Sequence, residues 1–287
     1  MTRLRGLRRA VRWSLGAMLP GELVLILCLA GGVRIPPPVR LAVELAVLAA
    51  AVAAGLLLAL DHLRHRRDGL DRRAALLAAV ADTVPAPVRA LSAHEVRLST
   101  SFLRWVTRRG PHGVREREGQ LAVPYASGQT ATMYGFLFVC VVETVALAYL
   151  IPWPVVHAVT LVLDLWGVYF VIALHASCVV RPHVIDADGG LRLRYGALLD
   201  IRIPAGLLAS ARVERRFPDS TLAAVGADGA ADLGVGGQTT VTVELTQPVA
   251  FVRALGKPAQ ARVFRCYAED PTAAVTALRA RAALDRT

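Results

Sequence analysis

The chain has 287 residues, 55% of them hydrophobic, with 33 Lys and Arg against 22 Asp and Glu and a formal net charge of +11. A mean hydropathy of +0.47 excludes an ordinary soluble domain and calls for membrane-spanning segments. The basic excess is almost all Arg, since Lys257 is the only Lys, and it lacks an aromatic-interleaved patch; charge beside anionic lipid explains it, and nucleic acid is not expected as a partner.

Residues 1–13 carry five Arg and no acid, and Leu4, Leu7, Val11 and Leu15 recur at helical spacing. This predicts an interfacial helix lying on anionic headgroups. Four apolar runs follow, at about 14–33, 38–60, 130–151 and 154–180. Each is long enough to cross a hydrocarbon core, which takes about 20 helical residues. The first reads as a retained signal anchor, because a second run follows almost at once. The short, Pro-rich linkers "RIPPPVR" and "IPWP" join the runs into two tight helical hairpins.

Between the hairpins, residues 61–128 carry twelve Arg and seven acids. The positive-inside rule therefore places this segment and both termini in the cytoplasm, as expected of a multi-pass protein of the cell inner (cytoplasmic) membrane. "DHLRHRRD" brings Asp61, His62, His65 and Asp68 to one helical face, where the neighbouring arginines favour a solvated collar over a metal site. "GLDRRAALLAAVADTV" has a helical period, and "SAHEVRLSTSFLRWVTRR" opens on Ser92 with Glu95 three residues later, a capping-box pattern. His112 and His183, each beside a Pro, read as loop residues. "RRGPHGVREREGQLAVPYASGQT" reads as a polar loop leading into the third span.

The second hairpin carries Glu143 and Asp164 in its apolar runs. At about 1.5 Å rise per residue, the two lie within about 3 Å of the same depth. Glu44 in the second span has a similar depth, and His157, Asp164 and His175 return to one face of the fourth. An ionisable group at a helix centre costs at least about 2.5 kcal/mol and marks a candidate site. Glu44, Glu143, Asp164 and His157 are thus the candidate metal or proton ligands; no cofactor is expected, a divalent cation being the one that a site of this kind would take. The rival reading is structural. The acids would be protonated and hydrogen-bonded across helices, with Tyr134, Thr144, Tyr149, Thr160 and Tyr169 as partners. In either reading Glu143 and Asp164 are expected to face each other and share a proton.

After Arg181 the period changes to two. Leu191, Leu193 and Tyr195 alternate with Arg192 and Arg194; Leu199, Ile201 and Ile203 alternate with Asp200 and Arg202; "VTVELT" and "ARVFRCYA" continue the pattern. Asp270 and Pro271 open a closing amphipathic helix. The Gly- and Ala-rich stretch 218–237 reads as a mobile connection, and its "GVGG" lacks the Lys and following helix of a phosphate loop. Residues 181–287 are expected to fold as a soluble unit by themselves.

This order, with Gly196 after a hairpin strand, Ile201 to Pro204 at a strand end and Asp270, Pro271 and Leu278 in the closing helix, resembles the bacterial pleckstrin-homology-like domains found beside membrane helices. The resemblance covers roughly residues 181–284. It implies a seven-stranded, two-sheet partial barrel capped by a helix, and no catalytic residues. Cys28, Cys140, Cys178 and Cys266 form no Cys-x-x-Cys pair and read as reduced, buried thiols.

The expected fold class is therefore α+β. A four-helix transmembrane bundle occupies residues 1–180 with a cytoplasmic helical insert at 61–128, and a β domain occupies 181–287. The expected function is non-enzymatic, a scaffold or regulator at the inner leaflet. Its partners would be membrane lipids, membrane or cytoplasmic proteins, or further copies of itself. The alternative is a membrane-embedded carboxylate and His site that moves protons or divalent cations, or supports metal-assisted chemistry.

Overall fold

Proline stands at the first or second position of four of the six helices among the described residues, where its missing N–H costs nothing and its fixed φ suits the first turn. The computed structural model describes residues 36–218, 222–226, 228–253 and 256–284. The interfacial helix and first span expected before residue 34 lie outside them. The chain divides into two compact units, Met1–Ala93 with Leu150–Thr160, and His94–Tyr149 with Leu161–Thr287.

In the first unit, α1 (Pro37–Arg67) runs past the expected end of the second span and takes the "DHLRHRR" collar into the same helix. It stops at Gly69, whose φ of +90° lets the Leu70 amide donate to the His65 carbonyl at 3.2 Å. Asp71 then caps α2 (Arg72–Thr83), accepting from the Ala74 amide at 2.6 Å. The two helices pack together, and His65 Nε2 meets Asp82 at 3.0 Å.

Next, α3 (Ala86–Val106) is one helix that starts beside Pro87. Ser92 is consequently interior to it, and the expected capping box there is not formed: the proline five residues earlier already marks the helix start. After α3 come β1 (Leu121–Val123), α4 (Ser127–Leu150) and α5 (Pro154–Val180). Helices α1, α4 and α5 are long and apolar enough to cross a membrane. Their large side chains, such as Leu48, Leu56, Phe138 and Leu163, are exposed on the protein, as a lipid-facing surface requires. Only three spans, rather than four, thus fall among the described residues.

The C-terminal part is two facing sheets. One has the order β1-β2-β3-β4, all antiparallel, with β2 (His183–Ile185), β3 (Leu191–Tyr195) and β4 (Leu199–Ile203). The other has the order β5-β8-β9-β7-β6, from β5 (Leu208–Arg216), β6 (Ala224–Val225), β7 (Ala230–Leu233), β8 (Thr239–Val252) and β9 (Pro258–Cys266). Its β7–β9 pair is parallel. The inward residues of both sheets, including Leu193, Ile201, Leu245 and Phe264, share one core with Val275 and Leu278 of α6 (Pro271–Leu284). Asp270 caps α6 by accepting from the Ala273 amide at 2.8 Å. Arg281 holds the helix down by donating to the Ile185 and Asp186 carbonyls, both at 2.8 Å.

Two expectations change here. Among the described residues the two sheets hold nine strands, eight of them within 181–284 where seven were implied. The stretch 218–237 contains β6 and β7, and all four residues of β7 are buried. Its small side chains are what let a central parallel strand fit tightly against β9. In addition β1, which precedes α4 in the chain, pairs with β2 through Val123 and His183, so the first sheet draws on residues outside 181–287.

Candidate functional site

Where α5 ends and α4 begins, the helices meet the first sheet through buried polar groups. Only Arg181 and Pro182 separate α5 from β2. Tyr125, just before α4, is fully buried, and its ring stacks on that of His183 with centroids 4.5 Å apart. Its phenolic oxygen accepts the Gly196 amide at 2.6 Å. Gly196 sits at φ +49°, and a Cβ there would run into Ser177 Oγ and Cys178 Sγ of α5. That contact lets only glycine bring the β3–β4 turn against the helix. Ser177 Oγ in turn donates to the Leu174 carbonyl at 2.8 Å and accepts the Ala197 amide at 3.3 Å. Tyr195 donates to Gln129 Oε1 on α4 at 3.1 Å.

His183 is also locked. Its Nδ1 accepts the Arg194 amide at 3.0 Å, so Nε2 carries the proton and faces the Tyr267 carbonyl at 3.2 Å. Burial pushes its pKa down to about 4, and both nitrogens are engaged by the neutral form. Burial likewise pushes the Tyr195 phenol up to about 12 and that of Tyr125 well above the usual value.

Arg194 departs from the strand alternation. It is 2% exposed, covered on the outer face of β3 by the loop after α3. Its guanidinium donates to the His112 carbonyl at 2.8 Å and to those of Pro182 and Gly113 at 3.4 Å. Burial, then the charge of Arg192, lowers its pKa to about 10, so it stays charged at neutral pH. Beside it, Arg192 Nε donates to Asp200 at 2.6 Å. Burial alone would raise the Asp200 carboxyl, but the Arg192 hydrogen bond and the nearby arginine charges outweigh it and hold it below the usual range.

The arrangement suits a mechanical link better than proton transfer. Neither His183 nor Tyr125 titrates near neutral pH, which a general acid or base must do. The shifted carboxylates elsewhere on the sheets are held by arginine: Glu214 by Arg212 and Arg216, Glu244 by Arg212, Asp228 and Asp232 by Arg265. Burial keeps the Cys266 thiol up at about 12, too high for a nucleophile.

The four residues picked out in the spans lie on three helices. Glu44 on α1 and Glu143 on α4 are exposed on the protein, while His157 and Asp164 on α5 are half-buried. No hydrogen bond joins Glu143 to Asp164. Of the hydroxyls expected to serve them, Thr144 donates to the Cys140 carbonyl at 2.8 Å and Tyr169 meets Ser99 at 2.9 Å. Among the described residues no group of three or more His, Cys, Asp or Glu is placed to hold a metal ion.

The residues that do converge, Tyr125, Gln129, His183 and Arg194, carry no local pattern. His183 is the first residue of β2 and 2% exposed, not a loop residue. Gly196 alone had a readable signal, as the glycine that follows a strand. Two surface recesses complete the picture. One is a groove of about 260 Å³ between β5 and α6, lined by Leu208, Ser210, Leu278 and Arg279. The other is a cleft of about 620 Å³ at the C-terminal end of α3. No protein-family model, curated protein or solved structure matches the chain.

Proposed function

We propose that the protein is a non-enzymatic membrane scaffold, in which apolar helices hold a pleckstrin-homology-like β domain in a fixed pose at the cytoplasmic face of the inner membrane. The observation that carries this reading is the buried junction. Tyr125, Gly196, Ser177 and Gln129 bond the ends of α4 and α5 to the β3–β4 turn without a flexible tether. A domain fixed in this way presents the same surface to every partner, which lowers the entropy cost of assembly. The Arg-rich segment 61–128 supports the cytoplasmic placement. Partners would be proteins of the membrane or cytoplasm, or a second copy, engaging exposed apolar residues of the β domain such as Phe217 and Val252.

A photo-crosslinking residue placed at 217 or 252 in intact membranes tests this. A scaffold yields discrete protein adducts, either a defined partner or a dimer. A chain that stays monomeric and adduct-free at both positions contradicts the reading.

A further inference from the structure

We propose that the cleft at the end of α3 binds the headgroup of an acidic phospholipid. Its lining includes Trp105, Val106, Arg108 and Arg109 from α3 and the turn after it, and Val179 and Val180 from the end of α5. Helix α5 has 27 residues, about 40 Å at 1.5 Å per residue, which matches the hydrocarbon core plus headgroup layers. Its last residues therefore stand at headgroup depth. There the cleft offers an apolar wall, an amphipathic indole and two cations, the combination that a glycerol-phosphate at the interface needs.

The two guanidiniums are the ones left over. Arg104 donates to the Gly110 carbonyl at 2.8 Å, and Arg181 to Ser101 Oγ at 3.0 Å. Arg192 and Arg194 are engaged as described. The side chains of Arg108 and Arg109 are exposed and form no hydrogen bond or ion pair among the described residues. Nor does the helix end need them. The Arg108 amide donates to the Trp105 carbonyl at 3.1 Å and the Arg109 amide to the Arg104 carbonyl at 2.9 Å, closing the last turn with Arg108 at φ +51°. Glycine is the usual residue in that position; here it is occupied by a cation. Residues 96–115 carry five Arg and no acid, so the residues next to Arg108 and Arg109 in sequence offer no carboxylate to compete with a phosphate. His112 beside the cleft reports the same field, held below its usual pKa by burial and by Arg181 and Arg104.

The inference rests on the proposed membrane anchoring only in that α5 must span the bilayer. Full-length protein in detergent would be loaded with equal amounts of phosphatidylglycerol and phosphatidylcholine, delipidated, and the retained lipid counted by native mass spectrometry. Wild type is expected to retain phosphatidylglycerol selectively. Arg108→Gln/Arg109→Gln should lower that retention at least about fivefold. Arg115→Gln/Arg117→Gln, which removes the same charge from the neighbouring exposed loop, should lower it less than about twofold, and Arg108→Lys/Arg109→Lys should restore most of it. If the Gln pair fails to fold, Val179→Asp, which places an anion in the cleft and keeps both arginines, should give the same loss. Equal losses in site and control variants, or unchanged retention in the site variants, overturn the proposal. So does displacement of the lipid by millimolar inorganic phosphate, which would make this a site for the free ion. Alkaline carbonate extraction of membranes separates the two failures: protein released by carbonate refutes the anchor, whereas protein that stays but binds no lipid at the cleft refutes the site alone.

Discussion

The amide of Gly196 donates to the phenolic oxygen of Tyr125 at 2.6 Å, joining the turn between β3 and β4 to the residue that precedes α4. Both groups are buried, and neither is reached by water. Through this bond the β domain and the ends of two apolar helices share one set of polar constraints.

Tyr125→Phe keeps the ring and its stack on His183 but leaves a buried amide without an acceptor. A loss of about 1–3 kcal/mol is expected. Thermal melting of the full-length protein in detergent should show a lower midpoint at unchanged helical content. An unchanged midpoint would mean that the bond contributes nothing.

Gly196→Ala should be worse. It adds both a left-handed alanine and a collision with Ser177 Oγ, together about 2–5 kcal/mol. Adding Ser177→Ala should return only part of that loss, because the backbone strain remains at φ +49°. Full recovery in the double variant would show that the collision alone mattered.

Stability should depend on pH through His183. The unfolded imidazole takes up its proton near pH 6.5 and the folded one only near pH 4. Between these values the unfolded state binds more protons, so stability rises with pH. The contribution is fully present above about pH 6.5 and is lost as pH falls toward 4, on the order of 3 kcal/mol. The difference in melting temperature between wild type and His183→Gln, followed from pH 7.5 to 4.5, should shrink or reverse on acidification. A constant difference would contradict a buried neutral imidazole.

Much of this architecture is legible in the residues. The span expected at 154–180 is α5, because Pro154 opens it and Arg181-Pro182 closes it. Alternation in Leu199, Ile201 and Ile203 reads directly as the buried face of β4, and Asp270 announces the cap of α6. What is not legible depends on distant pairing. β1 is three residues in a loop rich in Gly and Arg, and only β2, some sixty residues on, makes it a strand. Arg194 follows an outward period yet is buried, because a loop from before α4 covers it. Tyr125 gains its role from a glycine far along the chain. The acids in the apolar runs stand out for their expected cost, but cost alone does not say whether they converge.

Since β1 pairs into the first sheet and Tyr125 stacks on His183 beside it, residues 181–284 alone lack an edge strand and the acceptor of the Gly196 amide. This fragment should be less stable than one in which residues 114–126 are joined to 181–284 by a flexible linker. Chemical denaturation should place the linked fragment higher by about 2 kcal/mol or more, from the hydrogen bond and the buried Val123 and Tyr125 side chains. Equal midpoints would return the domain to residues 181–287 by themselves.

The central claim, that the β domain is locked to its apolar helices, is tested most directly by hydrogen exchange on full-length protein in lipid nanodiscs. The amides of Gly196 and Ala197 should exchange as slowly as those paired between β8 and β9, and Tyr125→Phe should speed the Gly196 amide by about 10-fold or more while leaving β8 and β9 unchanged. Wild-type exchange at these two amides as fast as in the exposed loops would mean that the domain hangs on a loose tether, and the account would fail.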